Sequence, residues 1–369
     1  MTCTLLWDAA PGEIRAGLVE DGALTEFRII RPSRRGSYLA VGQLYTARIV
    51  ENQGAGRALV TLGGGLEAHL ERAQRVPEGT LLAVEIVRTS IPEPGRWKPP
   101  LVKARSDLVA NSSEGPFDIG KQSWAYFLDE WRGKVDRIIC CDATAMQQVS
   151  TSVGPDGPPV SADIAAIEEA DFDSVVESAV TGEFTIKGGM LTIERTRAMT
   201  TIDIDGSGDP IALNLAAALE IPRLLRLLDI GGQVGIDFLA MPDRNARLSV
   251  DAALAQACAV LGPHERTAIN GFGFAQIVRS RPRPSIPEIL CGTTPGRFST
   301  ESRAVALLRE AARSTGFGKR QLVAPPAVID MLRGWTDELE TLQKLLGVVI
   351  ELVSDSSVGG YGHVHVSQS

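Results

Sequence analysis

Two short apolar segments each carry a carboxylate to their C-terminal end: Met199-Thr200-Thr201-Ile202-Asp203-Ile204-Asp205-Gly206 and Gly231-Gly232-Gln233-Val234-Gly235-Ile236-Asp237-Phe238. The stretch between them, residues 211–229, reads as amphipathic helix rich in Ala and Leu, interrupted at Pro222. A strand–helix–strand unit of this kind makes parallel neighbours with a right-handed crossover. That constraint narrows the chain to an α/β arrangement with Asp203 and Asp237 side by side at the end of a sheet, where such folds place their chemistry. Paired carboxylates with room between them suit a hard divalent cation such as magnesium, and so point to phosphoryl chemistry.

Asp203 and Asp205 are two apart and share one face of a strand. Asp is rarely buried unless paired or metal-bound, so apolar flanks on both strands favour a site. The competing reading is structural, because strands often end in Asp at turns and Gly206-Ser207-Gly208-Asp209-Pro210 is a turn. A calcium loop is excluded: Asp203, Asp205, Ser207 and Gly208 imitate its start, but its closing position holds Asn214 instead of Glu.

The run from Gly188-Gly189-Met190-Leu191-Thr192-Ile193-Glu194-Arg195-Thr196-Arg197-Ala198 into Met199 to Asp205 resembles the catalytic signature of the ribonuclease E/G family. So do Asn214-Leu215-Ala216-Ala217, Arg223, Arg226, Asp229-Ile230-Gly231-Gly232 and Ile236-Asp237-Phe238, and the third block, Phe272-Gly273-Phe274 with Arg279-Ser280-Arg281-Pro282-Arg283-Pro284-Ser285. Order and spacing agree across all three blocks. Looser likeness extends to residues 5–31, to Val41-Gly42-Gln43-Leu44-Tyr45 and Ala58-Leu59-Val60, and to the tail over residues 323–353.

The resemblance implies an α/β, multi-subdomain (α+β) chain. An RNase H-like subdomain (1–35 and 105–182) is interrupted by an oligonucleotide-binding (OB-type) barrel (36–104). A deoxyribonuclease-I-like catalytic subdomain (183–288), a linker region (289–320) and a small C-terminal α/β domain (321–369) follow. It further implies an endoribonuclease that cuts single-stranded RNA and leaves a 5′-phosphate and a 3′-hydroxyl. Asp203 and Asp237 would hold Mg2+, with Mn2+ the alternative, to polarise the scissile phosphate and lower the pKa of an attacking water. The family's third position is Asn, and here it is Asp205; the added charge either tightens the metal or slows the reaction.

Composition bounds this reading. The 369 residues suffice for two or three domains with ample cores. Five Cys and no leader-like or membrane-length apolar run point to a soluble, cytoplasmic protein with no membrane partner. Cys140 and Cys141 sit in a buried strand and read as core. A net charge of −8 argues mildly against a nucleic-acid protein, although a local basic patch can sit on an acidic body. Such a patch is Arg279, Arg281 and Arg283, with Arg266 upstream. Prolines keep it out of a helix, so the guanidinium groups would project along one side. The choice lies between bidentate phosphate contacts and a solvated linker, and the resemblance favours phosphate.

The breaks organise the chain. Residues 1–33 form a hairpin turned at Asp21-Gly22, and short strands run to about residue 102 as a small barrel. Residues 92–100 read as a Pro-rich loop. Helices are expected over 122–131, 143–148, 162–179, 250–261 and 302–312, with a hairpin turned by Lys187-Gly188-Gly189.

Departures from the family pattern carry expectations too. The family's sensor for a 5′-monophosphate would follow the barrel, but only residues 103–121 stand there. Arg88-Thr89 lies in the last barrel strand and fails by position, so a 5′-end-independent enzyme is expected. In place of a zinc-link Cys-Pro-x-Cys stands Cys291-Gly292-Thr293-Thr294, which excludes a shared zinc with two Cys from each chain. No structural zinc is expected; the zinc-linked tetramer is disfavoured, and a homodimer through other contacts remains open. Where relatives place stacking Phe, this chain has Leu59 and His69; His69 can stack in its place, and Tyr45, Arg48, Arg57 or Lys98 could compensate. Arg197 replaces an acidic family residue and can serve RNA. His363 and His365 read as an ordinary edge strand. The alternatives to cleavage are an RNA-binding protein of the same fold, or a phosphodiesterase of small nucleotides.

Overall fold

The computed structural model describes residues 2–31, 39–72, 76–118 and 121–367. The expected boundary at residues 35 and 36 lies outside the described residues. Three antiparallel strands open the chain: β1 (Cys3–Ala10), β2 (Glu13–Glu20) and β3 (Ala23–Ile30). Both residues of the Asp21-Gly22 turn have positive φ, 49° and 84°, the twist that a two-residue hairpin requires.

A barrel follows, built from β4 (Leu44–Gly54), β5 (Arg57–Gly63), β6 (Leu66–Glu71) and β7 (Leu81–Arg88). A hairpin of β8 (Ile91–Glu93) and β9 (Arg96–Lys98) leads to its last strand, β10 (Leu101–Ala104). The order is β4-β5-β6-β10-β7, and pairing of β7 with β4 closes it. Strict alternation drives closure: Ala58, Val60 and Leu62 of β5 point inward, where they meet Ala47, Ile49, Leu70, Ile86 and Val102. Arg88 therefore ends the barrel's fourth strand and not its last, and Thr89 lies beyond the strand. The expected Pro-rich loop is instead the β8–β9 hairpin, docked by Gly95 N donating to Thr293 O at 3.2 Å.

After β11 (Gly115–Pro116), which pairs with β4, the chain returns to the first sheet. Helix α1 (Ser123–Trp131), β12 (Arg137–Cys140), α2 (Ala143–Val153) and β13 (Val160–Ala162) follow. Strand β12 lies parallel to β1 and β13 parallel to β12, giving the order β13-β12-β1-β2-β3. The barrel is thus an insertion in a mixed sheet. Cys140 is buried in its core, and Cys141 is half-buried and packs against that core.

The single helix expected over 162–179 is two, α3 (Ile164–Glu169) and α4 (Phe172–Thr181). Asp171 adopts a left-handed conformation (φ 46°) and its carboxylate caps Ser174 N, so a fresh N-terminus starts there. A third sheet follows from β14 (Glu183–Ile186), β15 (Gly189–Arg195), β16 (Thr200–Gly206), β17 (Gly232–Asp237), β18 (His264–Arg266) and β19 (Phe274–Arg279). Its order is β14-β15-β16-β17-β19-β18, with β16 and β17 parallel. Helix α5 (Pro210–Leu227) makes the crossover and runs through the buried Pro222 without interruption. With α6 (Arg244–Ala257), which begins earlier than expected and ends in a 3-10 turn, it covers one sheet face. Ile202, Ile204, Val234, Ile236, Ala275 and Ile277 pack there against Ala217, Ile221, Leu224 and Leu254.

The chain closes with α7 (Ile286–Cys291), α8 (Thr300–Arg313), β20 (Arg320–Ala324), α9 (Pro326–Arg333), α10 (Thr336–Leu346), β21 (Ile350–Ser354) and β22 (His363–Val366). The three strands form a sheet in the order β21-β20-β22, and α8 packs its Val305 and Leu308 into that unit's core. Helix α8 also reaches the first sheet through buried charge: Arg309 contacts Asp8 at 2.6 Å, while Glu13 contacts Arg15 at 2.9 Å and Arg31 at 3.0 Å. No described helix is long and apolar enough to cross a membrane.

Candidate catalytic site

Alternation along β16 sends Ile202 and Ile204 into the core and leaves Asp203 and Asp205 exposed on the other face. Strand β17 does the same with Ile236 and Asp237. The parallel register sets Asp203 directly against Asp237, so their backbones are one strand spacing apart, about 4.8 Å. Thr192 pairs with Asp203 on the β15 side, and Phe274 pairs with Asp237 on the β19 side. One row across the open sheet face therefore reads Thr192, Asp203, Asp237, Phe274.

Among the described residues, neither Asp203 nor Asp237 has an ion-pair or hydrogen-bond partner for its carboxylate. Asp205 faces the same way but sits two residues, about 6.6 Å, further along the strand, opposite Met190. No group of three or more His, Cys, Asp or Glu suited to a metal occurs among the described residues. The donor set is thus two oxygen ligands open to water. That matches a hard cation that binds through one or two carboxylates and keeps much of its hydration shell.

Beside the acids the face is apolar. A Cβ placed on Gly235 would lie 2.7 Å from Phe274 Cζ and 3.0 Å from Met199 Sδ, so the ring and the thioether fill the space above this glycine. A larger residue there would displace Phe274 from its place beside Asp237.

The end of β17 is held from behind by Asn214 of α5, which is fully buried. Its Nδ2 donates to Leu239 O at 2.9 Å, and Leu239 N donates to its Oδ1 at 3.0 Å. This clip sits two residues past Asp237. Sequence reading placed Asn214 in a motif without a role; an amide on the apolar face of an amphipathic helix was the available signal.

The arginines of the third block have other partners. Arg279 donates to Leu225 O and Ile230 O, both at 2.8 Å, and burial pushes its pKa down. It pairs with Gly232, at the far end of β17 from Asp237. Arg281 ion-pairs with Glu288, and Arg283 contacts Asp229 at 2.7 Å and Glu130 at 2.8 Å. Burial favours the neutral form of Arg283, but the Asp229 and Glu130 carboxylates outweigh it and raise its pKa. Burial likewise pushes the Asp229 carboxyl up, and Arg28 with Arg283 brings it below the usual range. The three guanidinium groups therefore do not project together along one free side. They join the end of α5, α1 and α7, because acids distant in sequence fold against them.

On the barrel, Arg48 ion-pairs with Glu114 and donates to Gly79 O at 2.9 Å. His69 is half-buried on β6, between Leu59 and Leu101. Arg197 is exposed and has no acidic partner among the described residues. Arg195 is nearly buried and donates to Pro92 O at 3.1 Å and Gly292 O at 2.6 Å, which ties the β8–β9 hairpin to the third sheet. Cys291 is buried at the end of α7, and Thr294 is exposed.

Open paired carboxylates on a helix-backed mixed sheet, together with an inserted barrel, define a multi-unit α/β protein with a candidate cation site. Residues 123–282, from α1 to the third arginine-bearing block, match the family model described as Ribonuclease E/G family. Ribonuclease G of Escherichia coli (strain K12) is 32% identical over 186 residues, covering 44% of this chain and 38% of that protein. Ribonuclease E of the same strain is 28% identical over 231 residues, covering 54% and 22%. A chloroplastic Ribonuclease E/G-like protein of Arabidopsis thaliana is 36% identical over 114 residues, covering 27% and 11%. The matched stretch thus spans well under half the length of these relatives.

Proposed function

We propose that this chain is a metal-dependent endoribonuclease acting on single-stranded RNA, with Asp203 and Asp237 as its metal-holding pair. The observation that carries the reading is the register of those two carboxylates, exposed and without protein partners, inside the segment that matches the family. Relatives named Ribonuclease G and Ribonuclease E support the reaction class.

In this reading Asp203 and Asp237 each offer an oxygen to Mg2+ or Mn2+, and Asp205 adds charge two residues along the same face. A bound ion would supply Lewis acidity and lower the pKa of an attacking water, the chemistry needed to leave a 5′-phosphate and a 3′-hydroxyl. The chain's own part is positional. Asn214 holds the segment after Asp237, while Phe274 and Met199 cover the sheet surface beside it. Barrel order β4-β5-β6-β10-β7 with β6 and β10 parallel favours an oligonucleotide-binding (OB) barrel as a second RNA contact. The order β13-β12-β1-β2-β3 agrees with an RNase H-like unit, and the third sheet with a deoxyribonuclease-I-like one. Between β10 and α1 the described residues hold only the short β11, which supports cleavage independent of the 5′ end. A cytoplasmic place and a homodimer belong to the same proposal.

A second reading, RNA binding without cleavage, is favoured by Asp205 standing where the family has Asn. The deciding experiment is cleavage of a fluorescent single-stranded RNA, bearing a 5′-monophosphate or a 5′-hydroxyl, in magnesium and in EDTA. The wild type is compared with Asp203→Asn and Asp237→Asn. Magnesium-dependent cuts, abolished in both variants and equal on both 5′ ends, are expected. RNA binding without any cut by the wild type would leave the second reading.

A further inference from the structure

Phe272 is 92% exposed, in the turn that enters β19 directly across from Asp237. A ring this bare normally marks a loose loop, but this turn is closely held. Asn270 Oδ1 accepts from Phe272 N at 2.9 Å and from Phe274 N at 3.1 Å. Asn270 N donates to Phe274 O at 3.0 Å, and Gly273 N donates to Asn270 O at 3.1 Å. Phe238 N, the amide next to Asp237, donates to Gly273 O at 3.1 Å. Gly273 has φ 86°, and a Cβ there would lie 2.7 Å from Phe238 O, so the turn can lie this close to β17 only with glycine. The fold thus fixes an uncovered aromatic at the same sheet end as the two acids.

We propose that Phe272 is a positioning residue that stacks a nucleobase of single-stranded RNA next to the phosphate held at Asp203 and Asp237. The inference rests on the RNA-cleaving reading and adds to it the contact that seats the strand. Carboxylates repel a phosphodiester backbone, and Arg279, Arg281 and Arg283 lie toward the far end of β17 and are committed to protein partners. An uncharged contact to the face of a base supplies hold without adding positive charge, and it tolerates any sequence because every base has a π face. Phe317 is equally exposed, at 95%, but it lies between α8 and β20, outside the third sheet, and carries no such argument.

The test is the Kd of fluorescent RNA 12-mers in EDTA, where cleavage plays no part, for wild type, Phe272→Ala and Phe272→Trp. One base–aromatic stack corresponds to about 5- to 150-fold in Kd, and Phe272→Ala is expected to lose that much. Phe272→Trp should bind at least as tightly as wild type. The slope of log Kd against log salt should be the same in all three, because no ion pair is removed. With a 12-mer series carrying an abasic nucleotide at successive positions, one position should erase the difference between wild type and Phe272→Ala. Equal Kd values for wild type and Phe272→Ala overturn the proposal, as does a loss that persists on every abasic 12-mer. A change of oligomeric state in sedimentation with unchanged Kd overturns it in favour of an interface between copies. If the wild type binds in magnesium only, KM decides on the same criteria. Cleavage that needs Asp203 and Asp237 but ignores Phe272 rejects this inference alone, while no binding and no cleavage by the wild type reject both.

Discussion

Asn214 offers the sharpest check on how the fold holds the candidate site. Its carboxamide makes a two-way clip to Leu239, at 2.9 Å to the carbonyl and 3.0 Å from the amide, and the side chain is fully buried. Asn214→Ala removes both partners at once. Each orphaned backbone group costs about 1–3 kcal/mol when water cannot replace the lost bond. Leu239 is half-buried, so water recovers part of this, and about 2–4 kcal/mol of local stability should be lost. A chain with several core clusters need not melt as one two-state unit, so a global melt is the wrong probe. Hydrogen exchange at the Leu239 amide reads the loss directly, as roughly 30- to 700-fold faster exchange. Asn214→Asp separates the hydrogen bonds from mere side-chain volume. A carboxylate cannot donate to Leu239 O, whereas the protonated acid can, so the folded state raises this Asp's pKa. The sign follows: a raised acid binds more protons folded than unfolded, and Asn214→Asp regains stability as pH falls toward that raised value. Leu239 exchange within threefold of wild type in Asn214→Ala would falsify the reasoning, as would a pH-independent Asn214→Asp.

Two further outcomes follow from buried charge and buried thiols. Burial pushes the Glu13 carboxyl up, but Arg15, Arg31 and Arg309 together outweigh it and hold the group at about 2, against an ordinary 4.5. Its contribution, on the order of 3 kcal/mol, is complete above pH 4.5 and disappears as pH falls from about 4.5 to about 2. Acid titration of native fluorescence should therefore lose its steepest segment in Glu13→Gln, which is less stable than wild type at pH 7. Burial raises the Cys140 thiol to about 12 and the Cys141 thiol to about 11. Native protein at pH 8 should resist iodoacetamide at both positions and react at both in urea, as read by peptide mass; rapid native labelling would contradict the buried placement.

What sequence reading reached, and what it missed, divides along physical lines. The pairing of Asp203 with Asp237 was legible because two local rules suffice: period-two alternation fixes the face, and a strand–helix–strand crossover fixes the neighbour. The barrel was legible from alternation and its turns too, but the order in which its strands close was not, since it depends on β6 meeting β10 and β7 meeting β4 across long stretches of chain. The two helices within 162–179 were hidden because an Asp inside an acidic helical run reads the same whether it is solvated or starts a new helix.

Arg279, Arg281 and Arg283 show the deeper limit. Alternating arginines near an acidic site have one appearance in sequence, whether they face a phosphate or a carboxylate of their own chain. What separates the two cases is the position of Glu130, 153 residues before Arg283, and of Asp229 and Glu288. Those acids neutralise the patch and turn it into a joint between α1, α5 and α7. The chain's formal charge of −8 then carries more weight at this site than a count of nearby arginines suggested. Hold on RNA beside Asp203 and Asp237 would then come from other groups, among them exposed arginines such as Arg197 and Arg244, or from contacts that need no charge. These sources respond differently to salt: a phosphate contact lowers the slope of log Kd against log salt when it is removed, and a stacking contact leaves the slope alone. Arg197→Ala and Phe272→Ala, measured side by side across salt, therefore apportion the binding between charge and stacking.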